Sequence, residues 1–149
     1  MQAEEMWRDF LATSGLQEVP YTAWAFGASP DQLADLVLRG EKTATSSAYE
    51  LYGLTGEPLP QAGEYSVILD GSGQAVCVTE TLEVFTLPFR DVPASHAFQE
   101  GEGDKSLDYW REVHTAFFRA CLEKAGLSFS ETTPVLCETF RVVYPLPNP

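Results

Sequence analysis

Residues 39–47, RGEKTATSS, gather one lysine and four hydroxyl side chains, Thr43, Thr45, Ser46 and Ser47, directly behind an apolar helical pattern. A threonine hydroxyl is a weak nucleophile until a base takes its proton. A lysine amine serves as that base when its surroundings favour the neutral form. A carboxylate beside the amine then orients it or relays the proton. If a strand starts at Thr43, side chains alternate between its faces. Thr43, Thr45 and Ser47 share a hydroxylic face; Ala44, Ser46 and Ala48 share a face small enough to admit a close neighbour. Lys42, in the turn before the strand, is free to fold over toward Thr45. The same residues also suit an ordinary strand, in which Thr is common, with Lys42 complementing the negative end of the helix before it. Spacing alone leaves both readings open.

The elements that would hold this segment follow from periodicity and punctuation. AEEMWRDFLATSG sets Met6, Trp7, Phe10 and Leu11 at helical spacing and stops at Gly15, predicting a helix over about 3–14. YTAWAF reads as a strand. In SPDQLADLVLRG, Ser29 is placed to cap, Pro30 to open and Asp31 to favour the positive end of a helix that Gly40 ends in the left-handed conformation. TATSSAYELY reads as a strand and GLTGEPLPQAGE as a loop. EYSVILDGSGQAVCVTETLEVFTL predicts two strands around a turn at DGSG. PFRDVPASHAFQEGEGDKS is irregular, and His96 within it is expected to be exposed. SLDYWREVHTAFFRACLEKAG is a long helix with Leu107, Trp110, Val113, His114, Phe117, Cys121 and Leu122 on one face. VLCETFRVVY alternates as a last strand. Helices interrupt the strands without regular βαβ alternation, so the expected class is α+β: a small, curved mixed sheet or barrel with helices packed outside.

The chain has 149 residues, enough for one domain with a useful core. Its 9 Lys and Arg against 22 Asp and Glu leave a formal charge of −13, which opposes non-specific binding of a long polyphosphate. A neutral or small substrate fits this balance better. Cys77, Cys121 and Cys137 are odd in number and match no zinc or redox spacing, so they read as buried thiols in a reducing compartment. MQAEEMWRDF is no signal peptide and no apolar run is long enough for a membrane span, so a cytoplasmic location is expected. With two histidines and no paired ligand spacing, neither a metal nor another cofactor is expected. His114 reads as a satisfied core histidine. Trp24 and Trp110 read as core, Tyr49 and Tyr109 as candidates for a pocket wall, and Arg111 as a partner for the nearby acidic loop.

GEKTATSS behind an apolar helix also resembles the loosely written signature G-x-K-x-x-T of the ASCH domain family, with Gly40, Lys42 and Thr45 in the three fixed positions. AGEYSVILDGSGQAVCVTETLEVFTLPF resembles that family's following strands, EGEGDKSLDYWREVHTAFF the acidic loop and long helix of one bacterial subgroup, and VLCETFRVVYPL its final strand. The likeness runs from about Tyr21 to Pro145. It implies a single ASCH domain over 1–149, with the N-terminal helix added, and a PUA-like fold: a small mixed β-barrel flanked by helices, with a cleft at the Lys/Thr segment. Some members are amidohydrolases that deacetylate acetylcytidine nucleosides with a Thr nucleophile, a Lys and a Glu. Another has been described as a ribonuclease, and related folds bind modified RNA.

Carried over, the resemblance makes Lys42 the base and Thr45 the nucleophile. The carboxylate is Glu102, with Glu100 as close rival and Asp104 third. Gly40, Thr43, Ser47, Tyr49, Glu100, Asp104 and Tyr109 are the expected substrate contacts. In the amidohydrolases a basic residue usually stands two positions after the threonine; here it is Ser47, which argues against a phosphate-bearing substrate. The implied function is an amidohydrolase acting on an acylated nucleoside such as acetylcytidine. The alternative is a module that binds RNA or a modified nucleotide, or a ribonuclease. The expected partner is accordingly a nucleoside-like small molecule or RNA, and not a membrane. Oligomeric state is left open.

Overall fold

The computed structural model describes residues 1–146. Its elements in chain order are α1 (Ala3–Ser14), β1 (Tyr21–Ala25), α2 (Pro30–Leu38), β2 (Ala44–Ala48), α3 (Tyr49–Thr55), β3 (Tyr65–Leu69), β4 (Ala75–Pro88), a 3-10 turn (Phe89–Asp91), α4 (Ala94–Glu100), α5 (Leu107–Lys124) and β5 (Pro134–Tyr144). The strands form one sheet in the order β1-β3-β4-β5-β2. β1 runs parallel to β3, and every other pairing is antiparallel. This is the PUA-like α+β architecture: a five-stranded sheet curled into a half-barrel with helices outside it.

β4 does most of the curling. Its fourteen residues pair first with β3 and then with β5, and its ladder to β5 shifts register at Val78/Thr79 and again at Thr81/Glu83. Such bulges bend and over-twist a strand. β5 carries β2 at the far edge, with Ala44 opposite Thr139 and Ala48 opposite Val135. The β3–β4 turn forms at DGSG as its residues predict. The Asp70 carboxylate accepts from the Ser72 N–H, the Ser72 hydroxyl and the Gln74 N–H, and Gly73 takes a positive φ of 82°.

Three apolar clusters fix the helices. α1 lays Met6, Trp7 and Phe10 on Val67 and Val78, with Trp7 stacked on Tyr21. α2 seals Ala34 and Val37 against Ile68, Cys77 and Phe140. α4 and α5 bury Ala97, Trp110, Phe118 and Leu122 against Val135 and Cys137. Each fully buried large side chain contributes about 1.5–3 kcal/mol of transfer free energy. No helix among the described residues is long and apolar enough to cross a membrane.

Four local expectations are corrected. Ser29 makes no side-chain cap and itself sits at φ 47°. Asp31 instead ties α2 to the β3–β4 turn by accepting the Gly71 N–H at 2.7 Å. The strand expected to run on through TATSSAYELY ends at Ala48, and α3 begins at Tyr49. The stretch read as irregular contains α4, which opens behind Pro93 and buries His96 to 2% exposure. In α5 the buried stripe is Trp110, Phe118 and Leu122, whereas Val113 and Phe117 are 36% and 39% exposed. The apolar face of that helix is wider than the core beneath it.

Candidate active site

Lys42 is placed by backbone alone. After α2, Gly40 adopts φ 77° and the chain turns back. The N–H groups of Glu41 and Lys42 both reach the Leu36 carbonyl, at 3.0 and 3.1 Å, and the Gly40 N–H goes to Val37. This turn therefore spends its own donors on the helix end. The next N–H, of Thr43, donates to the Gln99 carbonyl at 2.7 Å and locks the segment to α4. Contact there is tight. A Cβ on Gly101 would overlap the Glu41 carbonyl oxygen and lie 3.3 Å from the Lys42 Cα, and Gly101 itself holds φ 73°. Only glycine satisfies both conditions at low cost.

The Lys42 side chain is 1% exposed. Its Nζ donates to Glu102 Oε2 at 2.8 Å and lies 3.4 Å from both Glu100 Oε1 and the Glu100 carbonyl oxygen. The ammonium also stands 5.3 Å from the centre of the Phe26 ring. A buried charge persists only when paired and hydrogen-bonded, and both carboxylates supply that here. Glu102 is the nearer and more accessible partner. Glu100 is as buried as the lysine.

Glu100 is held from three sides. Its Oε2 accepts from Trp110 Nε1 at 2.5 Å and pairs with His96 Nε2 at 2.9 Å, and its Oε1 faces His114 Nε2 at 3.5 Å. His114 stacks on Trp110 with ring centres 4.3 Å apart and hands its Nδ1 to the Trp110 carbonyl at 2.9 Å. Burial by itself would raise the Glu100 carboxyl. The hydrogen bonds from His114 and His96 and the charge of Lys42 outweigh it and hold that carboxyl well below its ordinary value. Glu100 is thus a fixed anion under Lys42.

These groups open onto a cavity of about 830 Å³ between β1 and β2, the two edges of the half-barrel. The volume suits a small organic ligand. Thr45, Ser46 and Ser47 form one wall, residues of β1 with Phe26 the other, and Val113, His114, Phe117 and Cys121 of α5 a third. The surplus apolar face of α5 is this wall. Among the lining residues Lys42 is the single Lys or Arg, set against Glu57, Glu64, Glu100, Glu102 and Glu138.

Of the residues singled out in the sequence, Lys42, Thr45, Ser47, Glu100 and Glu102 line this cavity. Gly40, Thr43, Tyr49, Asp104 and Tyr109 do not. Gly40 shapes the turn, and the Thr43 hydroxyl points at the Gln99 carbonyl. Tyr49 is exposed on α3 beside a separate groove. Asp104 accepts the Ser106 N–H at 2.9 Å, and Ser106 in turn caps α5 at the Tyr109 N–H. The Tyr109 ring lies over Gly103 and leaves no room for a Cβ there. Arg111 donates to the Arg90 carbonyl at 2.9 Å rather than to the acidic loop.

Sequence reading passed over Glu138, Thr81 and Tyr52. Glu138 stands directly opposite Thr45 in the β2–β5 ladder, so both side chains leave the sheet on the same face. Thr81 Oγ1 donates to Glu138 Oε1 at 2.7 Å. Burial pushes the Glu138 carboxyl upward, with Thr81 pulling it down and Glu64 adding to the rise. Tyr52 folds back from α3 so that its hydroxyl meets Ser47 Oγ at 2.8 Å, and its phenol is raised, chiefly by burial. A charged residue inside the mostly apolar run VLCETF was the available signal for Glu138.

The ASCH domain family model matches residues 22–144. Among solved structures, the ASCH domain from Lactobacillus crispatus JV V101 is 33% identical over 95% of this chain and 93% of its own, with a TM-score of 0.88. A protein from Enterococcus faecalis V583, described under the family model DUF984, is 36% identical over 93% of this chain and 86% of its own, with a TM-score of 0.83. No curated protein matches the chain at a significant level.

Proposed function

Because the chain belongs to the ASCH domain family, a group of PUA-like modules, we propose that its cavity is the active site of an amidohydrolase acting on a neutral acylated nucleoside. The observation that carries this reading is the buried Lys42 Nζ, held by Glu102 and Glu100 at the wall of a cavity that also presents the Thr45 strand. Thr45 Oγ attacks the acyl carbon. Its proton passes to Lys42 Nζ as Lys42 hands one on to Glu102 at 2.8 Å, so the lysine carries its charge before and after the step. The acyl C–N bond breaks and the ring amine leaves with a proton from Lys42. Water then cleaves the Thr45 ester, releasing the carboxylic acid and restoring the hydroxyl. Glu100 does not relay protons in this scheme. Pinned by His96 and Trp110, it keeps the lysine in place.

Five lining carboxylates against one lysine disfavour a phosphate-bearing ligand. The same imbalance argues against RNA, so RNA binding and cleavage are outcomes of the test rather than a second reading. Purified protein is incubated with acetylcytidine and release of cytidine is followed. Thr45→Ala and Lys42→Ala are expected to lose activity by about a hundredfold or more, and Thr45→Ser to keep part of it. Equal turnover by wild type and Lys42→Ala would sink this mechanism. RNA cleavage abolished by Lys42→Ala, without acetylcytidine turnover, would replace it with a nuclease.

A further inference from the structure

We propose that Glu138 is a specificity-determining residue of this cavity, pairing with the ring edge of the ligand's base on which an acceptor nitrogen stands beside an exocyclic N–H. This rests on the amidohydrolase reading above and adds what the pocket selects. Three geometric facts support it. Glu138 is the direct ladder partner of Thr45, so the two Cβ atoms are about 5 Å apart. An acyl carbonyl at Thr45 therefore puts the amide nitrogen and the adjoining ring nitrogen within reach of Glu138. Second, Thr81 is the single hydrogen-bond partner of the Glu138 carboxylate among the described residues, and no Lys, Arg or His there lies within ion-pair distance of it. Its second oxygen is left for a ligand. Third, Thr81 donates to Oε1, which fixes that oxygen as an acceptor and leaves Oε2 to carry the proton of the acid form.

The chemistry follows. A protonated carboxyl offers one O–H and one carbonyl side by side, the complement of an amidine-type edge. Burial, with Glu64 nearby, keeps the proton on Glu138 to higher pH than an ordinary Glu. Buried carboxyls held neutral to donate a hydrogen bond are an established device. Glu100 shows the opposite tuning in the same cavity, so the two ends are specialised: an anion under Lys42, and beside Thr45 a carboxyl whose acid form is favoured relative to an ordinary Glu.

The test is equilibrium binding, by calorimetry, of cytidine and of 3-deazacytidine, in which C–H replaces the ring nitrogen acceptor. Cytidine is the product and needs no turnover to bind. Wild type is expected to prefer cytidine by about tenfold, and Glu138→Ala to lose that preference together with about ten- to hundredfold in cytidine affinity. Glu138→Gln, whose amide also offers a donor and an acceptor, is expected to keep most of both. Thr81→Val, which frees the carboxyl to turn, is expected to blunt the preference with the fold unaltered by circular dichroism. Cytidine binding unchanged by Glu138→Ala, or a preference that survives it, overturns the assignment of Glu138 while leaving the nucleoside reading standing. Absence of cytidine binding by wild type overturns both.

Discussion

Gly101, between Glu100 at the end of α4 and Glu102 in the loop after it, is where this segment touches the turn carrying Lys42, and its replacement can be worked out from geometry. Gly101→Ala adds a Cβ that overlaps the Glu41 carbonyl oxygen and lies 2.8 Å from the Glu41 carbonyl carbon and 3.3 Å from the Lys42 Cα. All three atoms are backbone, so no side chain can swing away. The residue also holds φ 73° at the end of α4. Gly56 ends α3 at φ 74° with nothing within 4 Å of its notional Cβ. The two glycines thus share the backbone penalty and differ in the collision. Alanine in the left-handed region costs about 1–2 kcal/mol. Forcing an extra carbon into packed surroundings costs about 1–3 kcal/mol more. At about 2–4 °C per kcal/mol for a chain of this size, Gly101→Ala should melt about 2–12 °C below Gly56→Ala. Calorimetry gives both values, and hydrogen exchange at the Thr43 amide gives the local one, because the 2.7 Å bond to Gln99 has to stretch if the loop moves away. Equal melting temperatures for the two variants, with Thr43 exchange unchanged, would refute the account of how the loop is held against Lys42.

Further outcomes follow from the charges and thiols. Lys42→Met leaves Glu100 buried without its cation and should cost about 3–5 kcal/mol in urea denaturation; adding Glu100→Gln should return part of that, and a double variant no better than the single one would contradict the pairing. The Glu100 carboxyl is depressed in the folded protein, so its contribution is present above the ordinary glutamate range and lost as pH falls toward its folded value. Wild type should accordingly lose more stability than Glu100→Gln on acidification below about pH 4.5, measured by urea midpoints. Glu138 is shifted the other way: its contribution is present at low pH and lost as pH rises through the raised value, so Glu138→Gln should gain on wild type toward neutral pH. Cys77 and Cys137 are buried and pushed up to about 12, whereas Cys121 is half-buried and lines the cavity. Native protein should take up about one equivalent of a thiol reagent, on Cys121, as peptide mass spectrometry will show.

The elements with strong local signals were legible in the sequence. α1 ends at Gly15, the β3–β4 turn is written in DGSG, and the G-x-K-x-x-T resemblance carried the fold. α3 and α4 were not, for physical reasons. Each has only seven residues, too few for a helical period to stand out, and each is held by tertiary contact rather than propensity. Tyr52 anchors α3 to Ser47, while Glu100 anchors α4 by accepting from Trp110 Nε1, with His96 edge-on to the same ring. The cavity shared that obscurity. Lys42 and the two glutamates were picked out by motif and local sequence, but the fixed and accessible roles of Glu100 and Glu102 depend on Trp110 and His114, which lie on another helix. Glu138 meets Thr45 only through a ladder between residues far apart in the chain. On α5, periodicity counted every apolar position as core and had no means of assigning Val113 and Phe117 to a cavity wall.

The order β1-β3-β4-β5-β2 leaves the first and last strands of the half-barrel without a shared ladder, and the cavity occupies that seam. Widening or narrowing the mouth by small rotations of β2 and β1 therefore breaks no hydrogen bond between them. The unpaired N–H and C=O groups along both strands face either solvent or whatever enters. Such edges in other proteins invite a foreign strand; here β2 has only five residues, and Tyr52 of α3 reaches back to Ser47 on it. Lys42 does not depend on that seam: its segment is tied to α2 and α4 by backbone bonds, and its side chain to Glu100 at the end of α4.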